Sequence, residues 1–377
     1  MKAALLQQGA LKVLDLPTPE PGFEQARVRI RTAGVCHSDL HIVRGDWVGV
    51  PDTMPVGHEA IGTVEAPAPG AERFIAGREP VIRGLGGTGG GYWCGACEYC
   101  LGGEPRHCAQ AQGIMGTFAE EFCVYAKSLV KLPDSVGDEE APLACGGLTA
   151  YGAVKKLLTH EVRPPSPIAI IGAAGRLGHY AIQLAKAFGY TVVGIDVGEE
   201  RLKFVESMGA DLALEPHQAP EVVLERFGGV SASLVFAARM AGFQLGLQLL
   251  RRAGLFVGVG LPATSEGSIQ INPFEFFFKG ATLIYSAVGT VQDMRELVDL
   301  AAAGKVKSHI GRTAPLSELG DVFDDLEAAR YLGRILTSRL ESAHLNLGQG
   351  CDEPSGVRQA IEQFRVTRTV AFRGLSQ

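Results

Sequence analysis

PIAIIGAAGRLGHYAIQLAKAFG, residues 167–189, is the stretch that decides the fold of this chain. It opens on an apolar run of strand length and ends on a segment of helix length. Three glycines separate the two: Gly172, Gly175 and Gly178. Four apolar residues of the second segment recur at i, i+3, i+4 and i+7: Ala181, Leu184, Ala185 and Phe188. Strand, turn and one-sided helix together predict a βαβ unit on a parallel sheet.

The glycine-rich turn also predicts a dinucleotide site, formed with the neighbouring Arg176 and Leu177. Its pattern is not a strict GxGxxG, because Ala174 stands at the middle position. The N-terminus of the following helix can nevertheless hold a pyrophosphate. The next strand, TVVGID, ends at Asp196, whose carboxylate would accept hydrogen bonds from ribose hydroxyls and repel a 2'-phosphate. We therefore predict that the cofactor is NAD rather than NADP. The alternative to a dinucleotide site is a purely structural Rossmann domain without a cofactor.

The pattern of strand-like and helix-like segments along the 377 residues predicts two domains. Short strand runs between Gly- and Pro-rich turns dominate the first part of the chain. Strands then alternate with amphipathic helical segments. We predict an α/β protein with a mainly β domain over 1–147, completed by 287–377, and a doubly wound Rossmann domain over 148–286. The tail from about 341 carries no indication of what it packs on.

Composition excludes several functions. The formal net charge is -6 and no basic face is visible, which argues against a nucleic-acid partner. No apolar run approaches the roughly 18 residues of a membrane helix, and the first residues lack the apolar core of a signal peptide. We expect a cytoplasmic protein with no membrane association. In that compartment its 8 cysteines are interpreted as thiols or metal ligands before disulfides.

Four of these cysteines form a cluster inside WCGACEYCLGGEPRHC. They are separated by two, two and seven residues: Cys94, Cys97, Cys100 and Cys108. Four thiolates around one zinc form a fully ligated, structural site. A group of unrelated buried thiols is the alternative. A nucleic-acid zinc ribbon would need two paired halves in a basic setting, so a bracing lobe is the prediction.

Two further segments, GVCHSDLH and PVGHEAIG, carry metal-ligand residue types but are unremarkable when each is taken alone, since a histidine in a β domain is usually a polar core residue. Their order is informative. C-H-S-D-L-H, then GHE, the four-cysteine lobe and APLACGG together resemble the zinc-dependent medium-chain alcohol dehydrogenases, nearest their yeast and bacterial branch. The resemblance runs from residue 1 to about 340 and implies a GroES-like fold for the first domain.

The resemblance implies that Cys36, His58 and Cys145 bind a catalytic zinc. This ligand set is taken from the family, which uses two cysteines and one histidine. The fourth position is left to water, substrate or Glu59. Two thiolates and an imidazole keep the ion cationic enough to lower the pKa of a bound alcohol. Asp39 matches a carboxylate that orients His58.

Other roles follow from the same resemblance. Ser38 matches the hydroxyl that takes the alcohol proton, and His41 the histidine that passes it to solvent. His37 matches a contact to the pyrophosphate. For both histidines an ordinary surface or capping role is the alternative. Four residues match cofactor contacts: Arg201 near the ribose, Arg334 at the pyrophosphate, and Val259 and Val288 beside the nicotinamide.

The substrate pocket departs from the family. Gly84 stands where the yeast-like branch has a tryptophan, and the following glycine-rich loop is longer than in that branch. Missing bulk and extra glycine indicate a wider pocket, the alternative being an inserted surface turn. Trp47 is retained and is expected to bound the pocket.

We therefore predict an NAD-dependent alcohol dehydrogenase with two zincs per chain, acting reversibly on a small alcohol or carbonyl compound. A dimer or tetramer is expected. The alternatives are an enoyl or quinone reductase of the same superfamily and a non-catalytic binding relative. The reductases generally lack the zinc ligands, and a binding protein has no need of an open metal site with a proton path.

Overall fold

A computed structural model describes residues 1–46, 49–75, 83–86 and 91–338 of the chain. They form two compact units, which are treated separately. Of the described residues, the first unit comprises those within 1–145, 290–295 and 310–338; the second comprises residues 146–289 and 296–309.

Short strands dominate the chain up to residue 145. The helices and strands of this part are β1 (Lys2–Gln7), β2 (Ala10–Asp15), β3 (Gln25–Val35), α1 (His37–Arg44), β4 (Thr53–Pro55), β5 (Ala60–Pro67), α2 (Glu72–Ile75), β6 (Arg83–Gly86), α3 (Glu98–Leu101), β7 (Glu121–Tyr125) and β8 (Val130–Lys131). Short 3-10 turns lie at Pro105–His107, Ala126–Ser128 and Asp138–Ala144.

From residue 146 strands and helices alternate. They are α4 (Gly146–Thr159), β9 (Pro167–Ile171), α5 (Gly178–Ala187), β10 (Thr191–Ile195), α6 (Glu199–Ser207), β11 (Leu212–Leu214), α7 (Ala219–Phe227), β12 (Val230–Val235), α8 (Met240–Leu249), β13 (Leu250–Gly258), α9 (Pro273–Lys279), β14 (Thr282–Tyr285), α10 (Val291–Ala302), β15 (Ile310–Pro315), α11 (Leu319–Glu327) and β16 (Arg334–Ser338). Further 3-10 turns lie at Thr264–Glu266 and Leu316–Glu318.

The first unit is built around β3, whose 11 residues pair with several neighbours. The strand order is β15-β16-β3-β5-β6-β8, and β7 pairs with the first half of β3. A smaller sheet has the order β2-β1-β4. Alternate residues of β3, Ala26, Val28 and Ile30, are buried, which is the pattern of a strand with one face on a core. This core holds the ends of β3 and β5 in place, and these ends carry the metal-ligand residue types.

The second unit contains a six-stranded parallel sheet in the order β11-β10-β9-β12-β13-β14. Its central strands are buried on both faces, as expected when helices cover a sheet on either side. The chain leaves β9 toward one edge and returns at β12 toward the other, so the strand order reverses between these two strands. Ligands bind at the carboxyl ends of the strands at such a point. The predicted α/β class with a doubly wound domain is confirmed.

The glycine-rich turn of this unit depends on two glycines. Gly172 has a φ of 81°, in the left-handed region that favours glycine. A Cβ on Gly178 would lie 2.2 Å from the carbonyl oxygen of Gly172. The first residue of α5 therefore packs directly against the backbone that leaves β9, and only glycine leaves room for this contact.

Residues 296–309 belong to the second unit, although the sequence prediction gave everything from 287 to the first domain. The reason is a set of polar contacts to α5. The hydroxyls of Tyr180 and Ser308 share a buried hydrogen bond of 2.6 Å. The Gln183 amide donates to the carbonyl of Lys307 at 3.0 Å and accepts from its amide at 3.0 Å. Among the described residues, no helix combines the length and apolar character that crossing a membrane requires.

Candidate active site and metal centres

Four metal-ligand residues separated in sequence converge in the first unit: Cys36, His58, Glu59 and Cys145. One ligand atom from each lies within 4.8 Å of all the others. Cys36 directly follows β3, and the His-Glu pair directly precedes β5, which is paired with β3. Cys145 follows the 3-10 turn Asp138–Ala144. The structure thus brings together the predicted catalytic ligands.

Asp39 positions two of these ligands. It lies in the first turn of α1 and is completely buried. Its Oδ2 accepts the backbone N–H of Cys36 at 3.0 Å, and its Oδ1 lies 2.8 Å from Nδ1 of His58. Because a carboxylate only accepts, Nδ1 is the protonated ring nitrogen. Nε2 is therefore the ring atom left for a metal ion, and it is buried without a hydrogen-bond partner in the structure. Such an imidazole fits a metal ion.

One of the two thiols is also prepared for a cation. A hydrogen bond with Cys145 lowers the pKa of Cys36 well below its ordinary value, although burial opposes the shift. Burial lowers the pKa of His58, but the Asp39 carboxylate and Cys145 outweigh this effect and the net shift is upward. The hydrogen bond with Cys36, together with burial, raises the pKa of Cys145 well above its ordinary value, so without a cation only one of the two thiols ionises readily. A zinc ion would favour ionisation of both sulfurs, because thiolates are the form that binds the metal.

Glu59 does not stand alone beside the cluster, because it forms an ion pair with Arg334. Nη2 of the arginine donates to the two carboxylate oxygens at 2.7 and 2.5 Å, and to the Val35 carbonyl at 3.3 Å. Both side chains are completely buried. Burial raises the pKa of Glu59 to about 7, against the opposing charge of Arg334. The carboxylate is thus held at the edge of the cluster by a residue 275 positions away.

A glycine in β3 makes room for this carboxylate. A Cβ on Gly34 would lie 2.0 Å from Oε2 of Glu59. The Gly34 N–H also donates to the Glu59 carbonyl at 3.2 Å. Any larger residue would displace the Glu59 side chain and, with it, the ion pair.

The predicted proton path lies on α1, within the same unit. Oγ of Ser38 lies 3.8 Å from Sγ of Cys36, beside the proposed ligands. His41 is partly exposed, and its Nδ1 donates to Oδ2 of Asp46 at 2.8 Å. His37 is exposed at the start of the helix. The hydroxyl and the His41–Asp46 pair therefore share one short helix, with only the hydroxyl at the cluster.

The second group of ligands is the predicted lobe: Cys94, Cys97, Cys100 and Cys108. Their sulfurs lie within 4.8 Å of one another. Backbone amides surround the sulfurs: the N–H groups of Ala96 and Cys97 donate to Sγ of Cys94 at 3.4 and 3.3 Å. Sγ of Cys108 accepts the N–H of Cys94 and the N–H of Gln110, both at 3.4 Å. Amides arranged in this way stabilise thiolates, which are the zinc-binding form.

The pKa values of the lobe reflect that arrangement. The N–H of Ala96, together with that of Cys97, lowers the pKa of Cys94 to about 6. Burial raises the pKa of Cys100 to about 12. Without a cation, four crowded sulfurs cannot all ionise. A zinc ion would supply the missing charge, and the donor set fits a structural site.

The predicted cofactor residues of the second unit lie at one edge of its sheet. Each follows the carboxyl end of a strand: Gly172 after β9, Asp196 after β10, Val259 after β13 and Val288 shortly after β14. Gly175, Arg176 and Leu177 continue the turn from β9 into α5, which Gly178 begins. Parallel strands end at one edge, so residues distant in sequence meet there.

Asp196 is almost completely buried and is held by its own turn. Its Oδ2 accepts the N–H of Ala174 at 2.8 Å, and its Oδ1 accepts the N–H of Val197 at 2.9 Å. Arg201, on α6, lies 3.4 Å from Oδ1. The carboxylate therefore ties the end of β10 to the glycine-rich turn, at the position where Ala174 replaces a glycine. The sequence did not reveal this contact.

Comparison with known proteins agrees with the two halves of this description. Residues 22–134 match the family described as Alcohol dehydrogenase GroES-like domain, and residues 177–303 match Zinc-binding dehydrogenase. An alcohol dehydrogenase of Geobacillus stearothermophilus is 37% identical over 346 residues, 89% of this chain and 99% of the relative. The chain belongs to the zinc-binding alcohol dehydrogenase family.

Solved structures of alcohol dehydrogenases share the fold of this chain. The alcohol dehydrogenase of Aeropyrum pernix has a TM-score of 0.80 and 33% identity, covering 90% of this chain and 100% of that one. A cobalt- and zinc-bound alcohol dehydrogenase of Pyrobaculum aerophilum has a TM-score of 0.79 and 26% identity, covering 90% and 99%. The resemblance inferred from the sequence motifs is confirmed at the level of family and fold.

Some predicted residues of this alcohol dehydrogenase receive a partner that sequence reasoning missed. Arg334 was expected at the pyrophosphate, yet it is completely buried against Glu59; the pyrophosphate role stays a prediction. His41 pairs with Asp46, which lies five residues away and carried no motif. The spacing of residues along the sequence does not indicate the Arg334–Glu59 pair. The His41–Asp46 pair could have been predicted, because Asp46 lies just after the end of α1.

The predicted substrate pocket is described only in part. Trp47, the loop after residue 86 up to residue 90 and the tail from 339 lie outside the described residues. Gly84 lies in β6, opposite Lys131 of β8 and Gly62 of β5. Its role in the pocket, wide or otherwise, stays a prediction.

The buried ion pair generates the first testable prediction. Arg334→Met should destabilise the alcohol dehydrogenase by about 3–5 kcal/mol, because it leaves the Glu59 carboxylate buried without its cation. Adding Glu59→Gln should recover a large part of that loss. The measurement is urea unfolding of the wild type, both single variants and the double variant. Strictly additive losses would show that the two side chains do not stabilise each other.

Proposed function

We propose that this dehydrogenase oxidises an alcohol to an aldehyde or ketone, and catalyses the reverse reaction, with NAD and a zinc ion held by Cys36, His58 and Cys145. The observation that carries the proposal is the convergence of these three side chains, whose ligand atoms lie within 4.8 Å of one another, together with a buried His58 Nε2 that has no hydrogen-bond partner. Family membership supports the reaction class. The named relative from Geobacillus stearothermophilus is an alcohol dehydrogenase.

The alternative functions fit the geometry less well. An enoyl or quinone reductase needs neither the ligand set nor the carboxylate that orients it. A binding protein would gain nothing from an open metal site beside a hydroxyl. The contacts of Asp39, which align a thiolate and an imidazole at once, favour a catalytic metal.

Within the site, each residue has a distinct task. When bound, zinc supplies a Lewis acid that lowers the pKa of the substrate hydroxyl. Asp39 keeps the proton of His58 on Nδ1 and so keeps Nε2 available. Ser38 is placed beside Cys36 to accept the substrate proton. His41, partly exposed and hydrogen-bonded to Asp46, would pass that proton to solvent.

Glu59 has a different task from the three ligands. Its ion pair with Arg334 holds it at the edge of the cluster, where a metal ion would compete with Arg334 for the same carboxylate. This arrangement leaves the fourth position to water or substrate, as an open catalytic site requires.

We assign a second zinc to the four-cysteine lobe, where it would be structural. Four protein ligands leave no position for a substrate. The amide contacts to Cys94 and Cys108 would orient the sulfurs and balance their charge. Each chain would therefore carry two zinc ions with separate tasks.

Substitutions in the two centres should separate these tasks. His58→Ala should lower the zinc content from about two to about one per chain and abolish turnover, while the unfolding temperature changes little. Cys94→Ser should also remove about one zinc, but it should lower the unfolding temperature, because the lobe loses its brace.

The measurement is zinc content by mass spectrometry together with thermal unfolding and NADH formation. Cys123→Ser is the matched control, since this cysteine belongs to neither cluster. A His58→Ala protein that keeps two zincs and normal turnover would refute the catalytic assignment.

For the cofactor, the proposal assigns the adenosine ribose to Asp196. A carboxylate offers about four acceptor positions, and three are used within the protein. A ribose hydroxyl can donate to the remaining one. A 2'-phosphate would face the same negative charge, which favours NAD. His37 and Arg334 remain our candidates for the pyrophosphate, and Val259 and Val288 for the nicotinamide.

Asp196→Ala should therefore lower kcat/KM for NAD and raise the relative use of NADP. Losing a charge-assisted contact costs roughly 1.5–3 kcal/mol, about ten- to hundredfold in kcat/KM. Arg201 would then be free to attract the 2'-phosphate. Glu199→Ala is the control, because it removes an exposed carboxylate three positions away. A cofactor ratio that does not move would place the ribose elsewhere.

We also propose that the protein is a homo-oligomer that associates through an aromatic face of the second unit. This aromatic face consists of Phe274, Phe277 and Phe278 of α9, which are 74%, 78% and 60% exposed and whose rings contact one another. Clustered exposed aromatic side chains mark interaction surfaces. Within the described sheets, β14 is an edge strand with one neighbour, so its other edge can pair with the same strand of a second copy.

The aromatic face can be tested by charge. Phe277→Glu should shift the protein to a smaller species, because it places a carboxylate in a contact that must exclude water. Leu224→Glu is the control, since Leu224 is 68% exposed on α7 of the same unit. Light scattering after size exclusion measures the molar mass of each. Equal masses for Phe277→Glu and wild type would exclude this face.

A further inference from the structure

Lys127 lies beside the four-cysteine lobe, in the 3-10 turn that follows β7. Its side chain is half-buried. The ammonium donates a hydrogen bond to the carbonyl oxygen of Trp93. It also lies 4.2 Å from the ring centroid of Tyr92 and 4.6 Å from that of Trp93, within the range of cation–π attraction. Lys127 is thus held against the two residues that lead into Cys94.

One peptide group connects this ammonium to a proposed zinc ligand. The peptide between Trp93 and Cys94 accepts the hydrogen bond of Lys127 through its carbonyl oxygen. Its N–H donates to Sγ of Cys108 at 3.4 Å. A cation on the carbonyl side polarises the peptide and strengthens the hydrogen bond on the N–H side. The charge of Lys127 therefore acts on the sulfur of Cys108 through a single peptide.

The electrostatics of the lobe call for such a cation. Four thiolates around one Zn²⁺ carry a net charge of about -2. Arg106, the arginine of the lobe, is paired with Glu104 through a hydrogen bond of 2.9 Å. Burial lowers the pKa of Lys127, and the charges of Glu24, Cys100, Cys94 and Cys108 act against that shift. The ammonium is thus within electrostatic reach of three of the four sulfurs.

A lysine over aromatic rings is often a packing device only. Here the ammonium contacts two rings and also donates a hydrogen bond to the carbonyl that directly precedes the first cysteine. The Tyr92 ring is in turn supported by Tyr125 at a centroid distance of 4.7 Å. The two rings and the Trp93 carbonyl thus hold the ammonium of Lys127 beside the lobe.

We propose that Lys127 is the positioning and charge-balancing residue that retains zinc in the four-cysteine lobe. The inference rests on the structural zinc of the proposed function. It adds a cation outside the ligand set whose removal loosens the metal while all four sulfurs remain.

The experiment measures zinc release from the purified zinc-containing protein to an excess of a coloured chelator, 4-(2-pyridylazo)resorcinol. Cys94→Ser first identifies the release phase of the lobe, because this variant lacks it. Lys127→Met should then release the lobe zinc about tenfold faster, the lower range for residues that support metal ligands. Lys127→Arg, which keeps a cation over the rings, should stay close to wild type. Lys131→Met, an exposed lysine on the next strand, is the control.

Two measurements on Lys127→Met separate this role from a purely structural one: the release rate of the catalytic-site zinc and the unfolding temperature. We expect the release of the catalytic-site zinc to be unchanged in Lys127→Met. Equal acceleration of both phases, or a release rate equal to that of wild type, would overturn the proposal. If Lys127→Met does not fold, Lys127→Gln carries the same expectation, because it is uncharged and retains a polar end.

Failure of the proposed function is recognised separately. If Cys94→Ser contains as much zinc as wild type, the structural zinc itself is rejected. If Cys94→Ser loses one zinc but both neutral Lys127 variants release zinc at the wild-type rate, only the role of Lys127 is rejected.

Discussion

The carboxylate of Asp39 is the constraint on which the first unit's site depends. One oxygen holds the backbone of Cys36 at the start of α1, and the other fixes the tautomer of His58. A thiolate at the end of one strand and an imidazole at the beginning of its neighbour are thereby aligned by a single buried charge. Burying a carboxylate is costly unless it is fully hydrogen-bonded, so the contacts that orient the ligands also stabilise Asp39 itself.

Other buried charges are arranged around the same point. Arg334 neutralises Glu59, and the absence of a side chain at Gly34 leaves the space that the pair occupies. Arg334 starts β16, whose next residue pairs with the last residue of β3. The strand that pairs with the end of β3 thus also supplies the cation beside the proposed metal ligands. In the first unit, the ends of β3 and β5 and the buried charges of Asp39, Glu59 and Arg334 thus lie at the same point, which is the proposed metal site.

The lobe and the cofactor edge follow a related principle, in which backbone amides meet negative charge. Amides of the lobe point at sulfurs, and Lys127 reinforces one of those amides from behind. In the second unit, the amide of Ala174 donates to Asp196, so the glycine-rich turn and this carboxylate are held together. The sulfurs of the lobe and the carboxylate of Asp196 accept hydrogen bonds from the protein and can still bind a ligand. A preorganised site requires both properties.

The sequence by itself singled out the four-cysteine lobe, the glycine-rich turn and the alternation of strands and helices, because these depend on residue types at short spacing, whereas the set Cys36, His58 and Cys145 came from the family resemblance. Cys94 to Cys108 and Gly172 to Asp196 needed no structure to be singled out. Only the tertiary structure decided which buried charges meet. The partner of Glu59 lies 275 residues away, and the contact from Ala174 to Asp196 depends on the parallel pairing of β9 with β10. Spacing along a chain encodes local geometry, whereas a long-range ion pair exists only once sheet register has brought its members together.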